Sequence, residues 1–271
     1  MKSRKWIALY GVLLFLAVAV MALLRPAAKE DTGVRDYAAI SEEGILRLVT
    51  EYGLSGYYVS GDTIEGFQYE LIRAIARVSG LEVHTALETT LAESFRALDS
   101  RACDVIARNI PVTSDIRDGY LFTDPVVMDK QVLIQRTAEA NGGVEVIRNQ
   151  LDLAGKTIHI PLGSPALTRL QNLEHEMGDT LYIVEDEAYS SEQLAIMVAA
   201  GDIDYAVCGR RTALVLQSRL DGIDVDTDIG FIQLQAWAVR KESPILLDSL
   251  NSWLRQIREN GWYDAIYRRY Y

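Results

Sequence analysis

The sequence predicts an α/β protein of two similar lobes joined by a two-strand hinge and preceded by one membrane-spanning helix. Three observations predict it. A run of 19 uncharged residues lies between Lys5 and Arg25. A strand, helix, strand, helix, strand series runs from Ile45 to Asn109, and a second series of the same order runs from Lys156 to Gly209.

The uncharged run is about the length that crosses a bilayer as a helix. Lys2, Arg4 and Lys5 precede it, so the positive-inside rule places the amino terminus in the cytoplasm and the rest of the chain outside. Residues 1–28 therefore read as an inner-membrane anchor, because Leu23, Leu24 and Arg25 do not make a small-x-small cleavage site. The alternative is a cleaved signal that leaves a soluble periplasmic protein. Residues 29–43 are polar, lack periodicity and read as a tether.

In the first lobe, residues 44–132, ILRLVTEY forms a strand. GFQYELIRAIARVSG follows with apolar residues at Leu71, Ile72, Ile75, Ala76 and Val78 and a stop at Gly80, the pattern of an amphipathic helix. LEVHTAL, LAESFRALDSR and CDVIARN complete the series. Strands that alternate with helices pair in parallel through right-handed crossovers.

The second lobe, residues 133–232, repeats the order with KTIHIPLG, SPALTRLQNLEHEMG, TLYIVED, SSEQLAIMVAAG and DIDYAVCG. Gly66 precedes Asp104 by 38 residues and Gly163 precedes Asp204 by 41. VVMDKQVLIQR at 126–136 is an apolar strand with a polar break. FIQLQAWAVRK begins a return of residues 233–271 to the first lobe, which ends in helices broken near Gly261. Two connections between lobes make a hinge, and a hinge makes a cleft.

Five of the 27 basic residues, Lys2, Arg4, Lys5, Arg25 and Lys29, lie at or before position 29. The remaining 22 face 38 acidic residues, a formal charge of −16. Nucleic acid is excluded as a partner by this balance. Cys103 and Cys208 lie in or beside apolar strands and read as buried small hydrophobes rather than a disulfide. His84, His159 and His175 share no metal-ligand spacing, and HExxH, GxSxG and phosphate-loop patterns are absent. Neither a metal nor another cofactor is expected.

The stretches GFQYELIRAIARVSGLEV, DVIARNIPVTSDIRDGYLFTDPVV, LAGKTIHIPLGS, AGDIDYAV and AVRKESPILLDSLNSWLRQIRENGWYDAIYRRYY stand in order between Gly44 and Tyr271. Together they resemble the family 3 periplasmic solute-binding proteins, which bind polar amino acids and related solutes on a type II periplasmic-binding fold. Within that family the sequence is most similar to the binding module of membrane-bound lytic murein transglycosylase F, without the catalytic domain that follows there. The resemblance implies a binding protein rather than an enzyme. It implies a small anionic or zwitterionic, carboxylate-bearing solute, and a transporter or a cell-wall enzyme as partner. Alternatives on the same plan are a cyclohexadienyl dehydratase-like enzyme and a remnant of a lytic transglycosylase F.

The family holds a ligand carboxylate with an arginine in a T-x-x-R turn, where a guanidinium offers a planar fork. Here that turn is Thr113 to Arg117, one residue longer than usual, and Arg117 could instead pair with Asp115 or Asp118. Asn109 and Thr113 offer an amide and a hydroxyl in the same loop, though both are also ordinary turn residues. Ser164 and Pro165 begin a helix whose free N–H groups suit an anion, and Ser164 could simply cap it. Tyr52, Tyr57 and Tyr58 stand where the family places an aromatic against the ligand, or they pack under the loop. Many amino-acid-binding members carry an ammonium-binding aspartate after the strand DYAVCG. This chain has Gly209, Arg210 and Arg211 there, and Arg210 joins the candidate ligand contacts unless it is solvated.

Overall fold

A computed structural model describes residues 35–53 and 56–271. The expected membrane segment at 6–24 lies outside the described residues. No helix among the described residues is long and apolar enough to cross a membrane.

The expected tether of 29–43 is packed structure from Arg35 onward. Helix α1 (Tyr37–Glu43) begins where Asp36 accepts a hydrogen bond from the Tyr37 N–H at 2.7 Å, and it ends at Gly44, whose φ is +77°. Its one fully buried side chain, Ile40, enters the first lobe's core. Arg35 Nε donates to Asp104 Oδ1 at 2.7 Å. Arg35 also pairs with Glu43, and Asp36 accepts from the Ile245 and Leu246 N–H groups, so the segment is held mostly by polar contacts that leave no periodic apolar pattern.

The first lobe continues with β1 (Ile45–Thr50), the hairpin β2 (Tyr58–Ser60) and β3 (Thr63–Glu65), α2 (Phe67–Ser79), β4 (Glu82–Leu87), α3 (Leu91–Asp99) and β5 (Val105–Pro111). Helix α2 buries Phe67, Leu71, Ile72 and Ile75 on one face and stops at Gly80, φ +70°. In α3 a capping box starts the helix: Thr90 Oγ1 accepts from Glu93 N and Glu93 Oε2 accepts from Thr90 N, both at 3.1 Å. A single helical turn α4 (Ser114–Arg117), β6 (Tyr120–Phe122) and β7 (Val127–Asp129) follow.

The chain then enters the second sheet at β8 (Gln131–Arg136). That lobe is completed by β9 (Thr157–Pro161), α5 (Ala166–Met177), β10 (Tyr182–Asp186), α6 (Ser191–Ala200), β11 (Tyr205–Gly209), α7 (Arg210–Gln217) and β12 (Ile223–Asp228). β13 (Gln233–Arg240), α8 (Pro244–Glu259) and α9 (Trp262–Tyr270) lie against the first lobe.

The first sheet has the order β4-β1-β5-β13-β6, with β7 also pairing β13, and the second β10-β9-β11-β8-β12. β1 runs parallel to β4 and β5, and β9 parallel to β10 and β11. The strands that arrive from the other lobe, β13 and β8, pair antiparallel to β5 and β11. Both sheets are covered on both faces. In β8, Val132 and Ile134 join one apolar cluster and Leu133 joins another, the period-two alternation of a strand between two helical layers.

Candidate functional site

The carboxyl ends of β1, β5, β9 and β11 converge on the space between the lobes, the place where α/β sheets bind ligands. A cavity of about 140 Å³ lies there. The first lobe contributes Glu51 to Gly53, Thr89, Arg108 and Asn109. The crossing strands contribute Asp129, Gln131 and Gln235. The second lobe contributes Ser164, the start of α6 at Ser190 to Glu192, and Cys208, Gly209 and Thr212.

Of the residues expected from sequence, Asn109, Ser164 and Tyr52 line this cavity. Ser164 Oγ accepts from the Ala166 N–H at 3.3 Å, at the entry of α5. Tyr52 stands on the rim, 60% exposed. Arg117, Thr113, Tyr57, Tyr58 and Arg210 are not among the lining residues.

Arg117 is exposed because Ile116 takes the third place after Thr113 and packs on the cluster of Val49 and Ile106. The next position round a helical turn then faces solvent. Tyr57 meets Tyr69 edge-on at 5.3 Å, and the Tyr58 hydroxyl donates to Glu65 Oε2 at 2.8 Å. Arg210 is paired with Asp228 at 3.3 Å and Asp226 at 3.9 Å.

The arginine that does reach the cavity is Arg108, on β5. Its Nη2 donates to Glu51 Oε2 at 2.7 Å, and its Nη1 donates to Ser94 Oγ at 3.0 Å and to the Glu88 carbonyl at 3.4 Å. Beside it, the Asn109 side chain is fixed on both sides. Its Oδ1 accepts from Gln68 Nε2 at 2.6 Å, and its Nδ2 donates to the Tyr271 hydroxyl at 3.2 Å. Gln68 Oε1 in turn accepts from Trp237 Nε1 at 2.7 Å. Burial raises the Tyr271 phenol above its ordinary pKa, so it stays protonated at neutral pH.

The cavity is acidic: Glu51, Asp129 and Glu192 face one arginine. Asp129 is buried. Desolvation raises its pKa, against the lowering effect of the Lys130 and Arg211 backbone N–H groups. Burial also pushes up the pKa of the Cys208 thiol, which keeps it in the unreactive thiol form. Both cysteines are free.

Among the described residues, the contacts between the lobes include those at Gly53, Gly163 and Arg211. A Cβ at Gly53, where φ is +146°, would lie 2.7 Å from Glu192 Oε1 across the cavity. A Cβ at Gly163 would lie 3.5 Å from Ala92. Arg211, on α7, places its guanidinium 4.5 Å from the Tyr271 ring centre and 4.9 Å from that of Tyr267, donates to the Tyr267 hydroxyl, and donates to the Met128 carbonyl at 3.1 Å. Arg211→Ala should therefore lower the unfolding free energy by about 1–2 kcal/mol, the size of a partly desolvated cation–π contact. Urea unfolding measures this directly.

Sequence reading missed Glu51, Arg108, Asp129, Glu192 and Gln235. Two carried a signal: Arg108 interrupts the apolar strand DVIARNI, and Asp129 is the polar break in VVMDKQVLI. A charge inside a buried strand must be paired or used.

The sequence is 30% identical over 234 residues to a membrane-bound lytic murein transglycosylase F of Desulfosudis oleivorans, covering 86% of this chain and 50% of that protein. It is 28% identical over 272 residues to one of Pseudomonas fluorescens, covering 100% and 52%. The chain thus spans about half the length of the curated relatives it matches.

Solved structures of the same fold include an ancestral arginine-binding protein bound to glutamine, with TM-score 0.73 and 23% identity, covering 84% of this chain and 98% of that one. The arginine-bound form of truncated ArgBP from T. maritima has TM-score 0.70 and 22% identity, covering 81% and 99%. An ancestral amino acid-binding protein, a precursor of cyclohexadienyl dehydratase, has TM-score 0.72 and 22% identity, covering 86% and 97%. Residues 48–271 match the bacterial extracellular solute-binding proteins, family 3, and the chain belongs to that family.

Proposed function

We propose that this protein binds a small zwitterionic or cationic solute in the cleft between its lobes, on the periplasmic side of a membrane to which residues 6–24 anchor it, and that it senses the solute rather than transforming it. The observation that carries this reading is the cavity itself. It is lined from both lobes at the strand carboxyl ends, and three carboxylates there outweigh one arginine. That balance favours a ligand with an amine over a purely anionic one.

In this reading Arg108 takes the carboxylate role that the sequence assigns to Arg117. Asn109 and Ser164 present polar groups from opposite lobes. Two crossings at Lys130 and between Asp228 and Gln233 serve as the hinge, so a ligand held by both lobes stabilises the closed form by its differential affinity. Similarity to lytic transglycosylase F proteins supports a cell-wall peptide or amino acid as solute and a cell-wall enzyme as partner, ahead of delivery to a transporter.

The test is thermal unfolding of the full chain in mild detergent with amino acids, dicarboxylates and peptidoglycan peptides. A solute at a hundred times its dissociation constant should add about 2.7 kcal/mol of stability. Arg108→Lys, which keeps the charge and loses the fork, should weaken binding by about tenfold or more. A melting temperature that no solute moves would overturn the reading.

A further inference from the structure

Three of the described aspartates are buried, and two are matched by arginine. Asp104 accepts from Arg35 and Arg240, and Asp224 accepts from Arg148 at 2.6 and 2.7 Å. Asp129 is the exception. It is 8% exposed, lines the cavity, and accepts only from backbone N–H groups, Lys130 at 2.9 Å and Arg211 at 3.5 Å.

A second observation falls in the same cavity. Gln235 is 3% exposed, and its Oε1 is the buried side-chain polar atom that lacks a hydrogen-bond partner among the described residues. β13 pairs β7 with Gln235 opposite Val127 and Gln233 opposite Asp129. In an antiparallel pair, residues two apart on facing strands project from the same face, so Gln235 and Asp129 share one side of the sheet. Both are acceptors, and a buried acceptor without a donor is costly. The two together specify what is missing: a donor with positive charge.

We propose that Asp129 and Gln235 form an ammonium subsite on the crossing strands, so that the solute bound in the cleft carries a protonated amine. The proposal rests on the reading that the cleft binds a solute. An ammonium offers three N–H donors from one compact charge, which suits a carboxylate and an amide oxygen approaching from neighbouring positions on one sheet face. Gly209 is part of the arrangement. A Cβ there would stand 2.7 Å from Asp129 Oδ2, so the absence of a side chain at the end of β11 gives the carboxylate its place.

Calorimetric titration of the full chain tests this with free amino acids and their N-acetyl and 2-oxo counterparts, which lack the ammonium. The wild type should bind a free amino acid and bind its counterparts at least about 30-fold more weakly, the cost of leaving a buried charge unpaired. Asp129→Asn should weaken the free amine by a similar factor and leave the counterparts unchanged. Gln235→Leu should weaken the amine about tenfold. Since Oε1 has no partner among the described residues, leucine removes no hydrogen bond of that oxygen to them, and this variant keeps the test open if Asp129→Asn fails to fold.

A wild type that prefers the 2-oxo acid, or variants that bind the amine as the wild type does, would overturn the subsite while leaving the cleft reading in place. A wild type that binds none of the three classes would overturn both.

Discussion

Asp104→Ala should lower the unfolding free energy by about 3–5 kcal/mol, because it leaves Arg240 buried without its counter-ion and Arg35 with Glu43 alone. Asp104 is fully buried at the start of β5. Oδ1 accepts from Arg35 Nε at 2.7 Å and Arg240 Nη2 at 3.1 Å, and Oδ2 accepts from the Arg47 N–H at 3.1 Å. Arg35 and Arg240 are each 7% exposed. The loss would be shared by three segments far apart in the chain, since this carboxylate ties residue 35, β1 and β13 together.

Arg35→Ala should cost less. It removes one cation and leaves Asp104 paired with Arg240, while Glu43, 31% exposed, turns to water. Urea unfolding with an unchanged slope distinguishes lost stability from a changed denatured state. In a domain of this size each kcal/mol moves the melting temperature by about 2–4 °C. A loss below about 1 kcal/mol for Asp104→Ala would mean that water reaches both arginines.

The alternating elements were legible in the sequence because each has a strong local cause. Helix α2 is announced by apolar residues on one face and by Gly80, and α6 by Ser190 and Gln193, which form its capping box. β12 was not legible. Its sequence IDVDTD alternates, but Asp224 is buried there through Arg148 and Gln135, partners 76 and 89 residues away. Helix α7 begins at Gly209 with two arginines and without a side-chain cap, so its start carries no sequence mark.

The site divides in the same way. Asn109 and Ser164 stand at strand and helix ends, which local pattern reveals. Arg117 is the expected ligand-binding arginine because the family resemblance places one in a T-x-x-R turn after the third strand. The inward position of that turn belongs to Ile116, whose apolar side chain completes the cluster with Ile106 and Val49. Asp129 and Gln235 come together only through the pairing of β7 with β13, about a hundred residues apart, and no local pattern encodes that register.

Trp237→Ala should cost about 3–5 kcal/mol, as for other fully buried aromatics truncated to alanine, and Trp237→Phe about 1–3 kcal/mol. The difference between them separates volume from hydrogen bonding. Trp237 is fully buried among Phe67, Leu71 and Leu250, and its Nε1 donates to Gln68 Oε1, itself fully buried. Phenylalanine keeps most of the packing and leaves that oxygen without a donor. The consequence reaches the cleft, because Gln68 also donates to Asn109, which lines the cavity and donates to Tyr271. Trp237→Phe should therefore weaken solute binding although Trp237 is not among the lining residues. Combining it with Asn109→Ala in a double-mutant cycle should give less than the sum of the two losses, as residues in one hydrogen-bond network do. Additive losses would mean that the indole supports the fold alone, and that Asn109 is oriented by Tyr271 without help from Gln68.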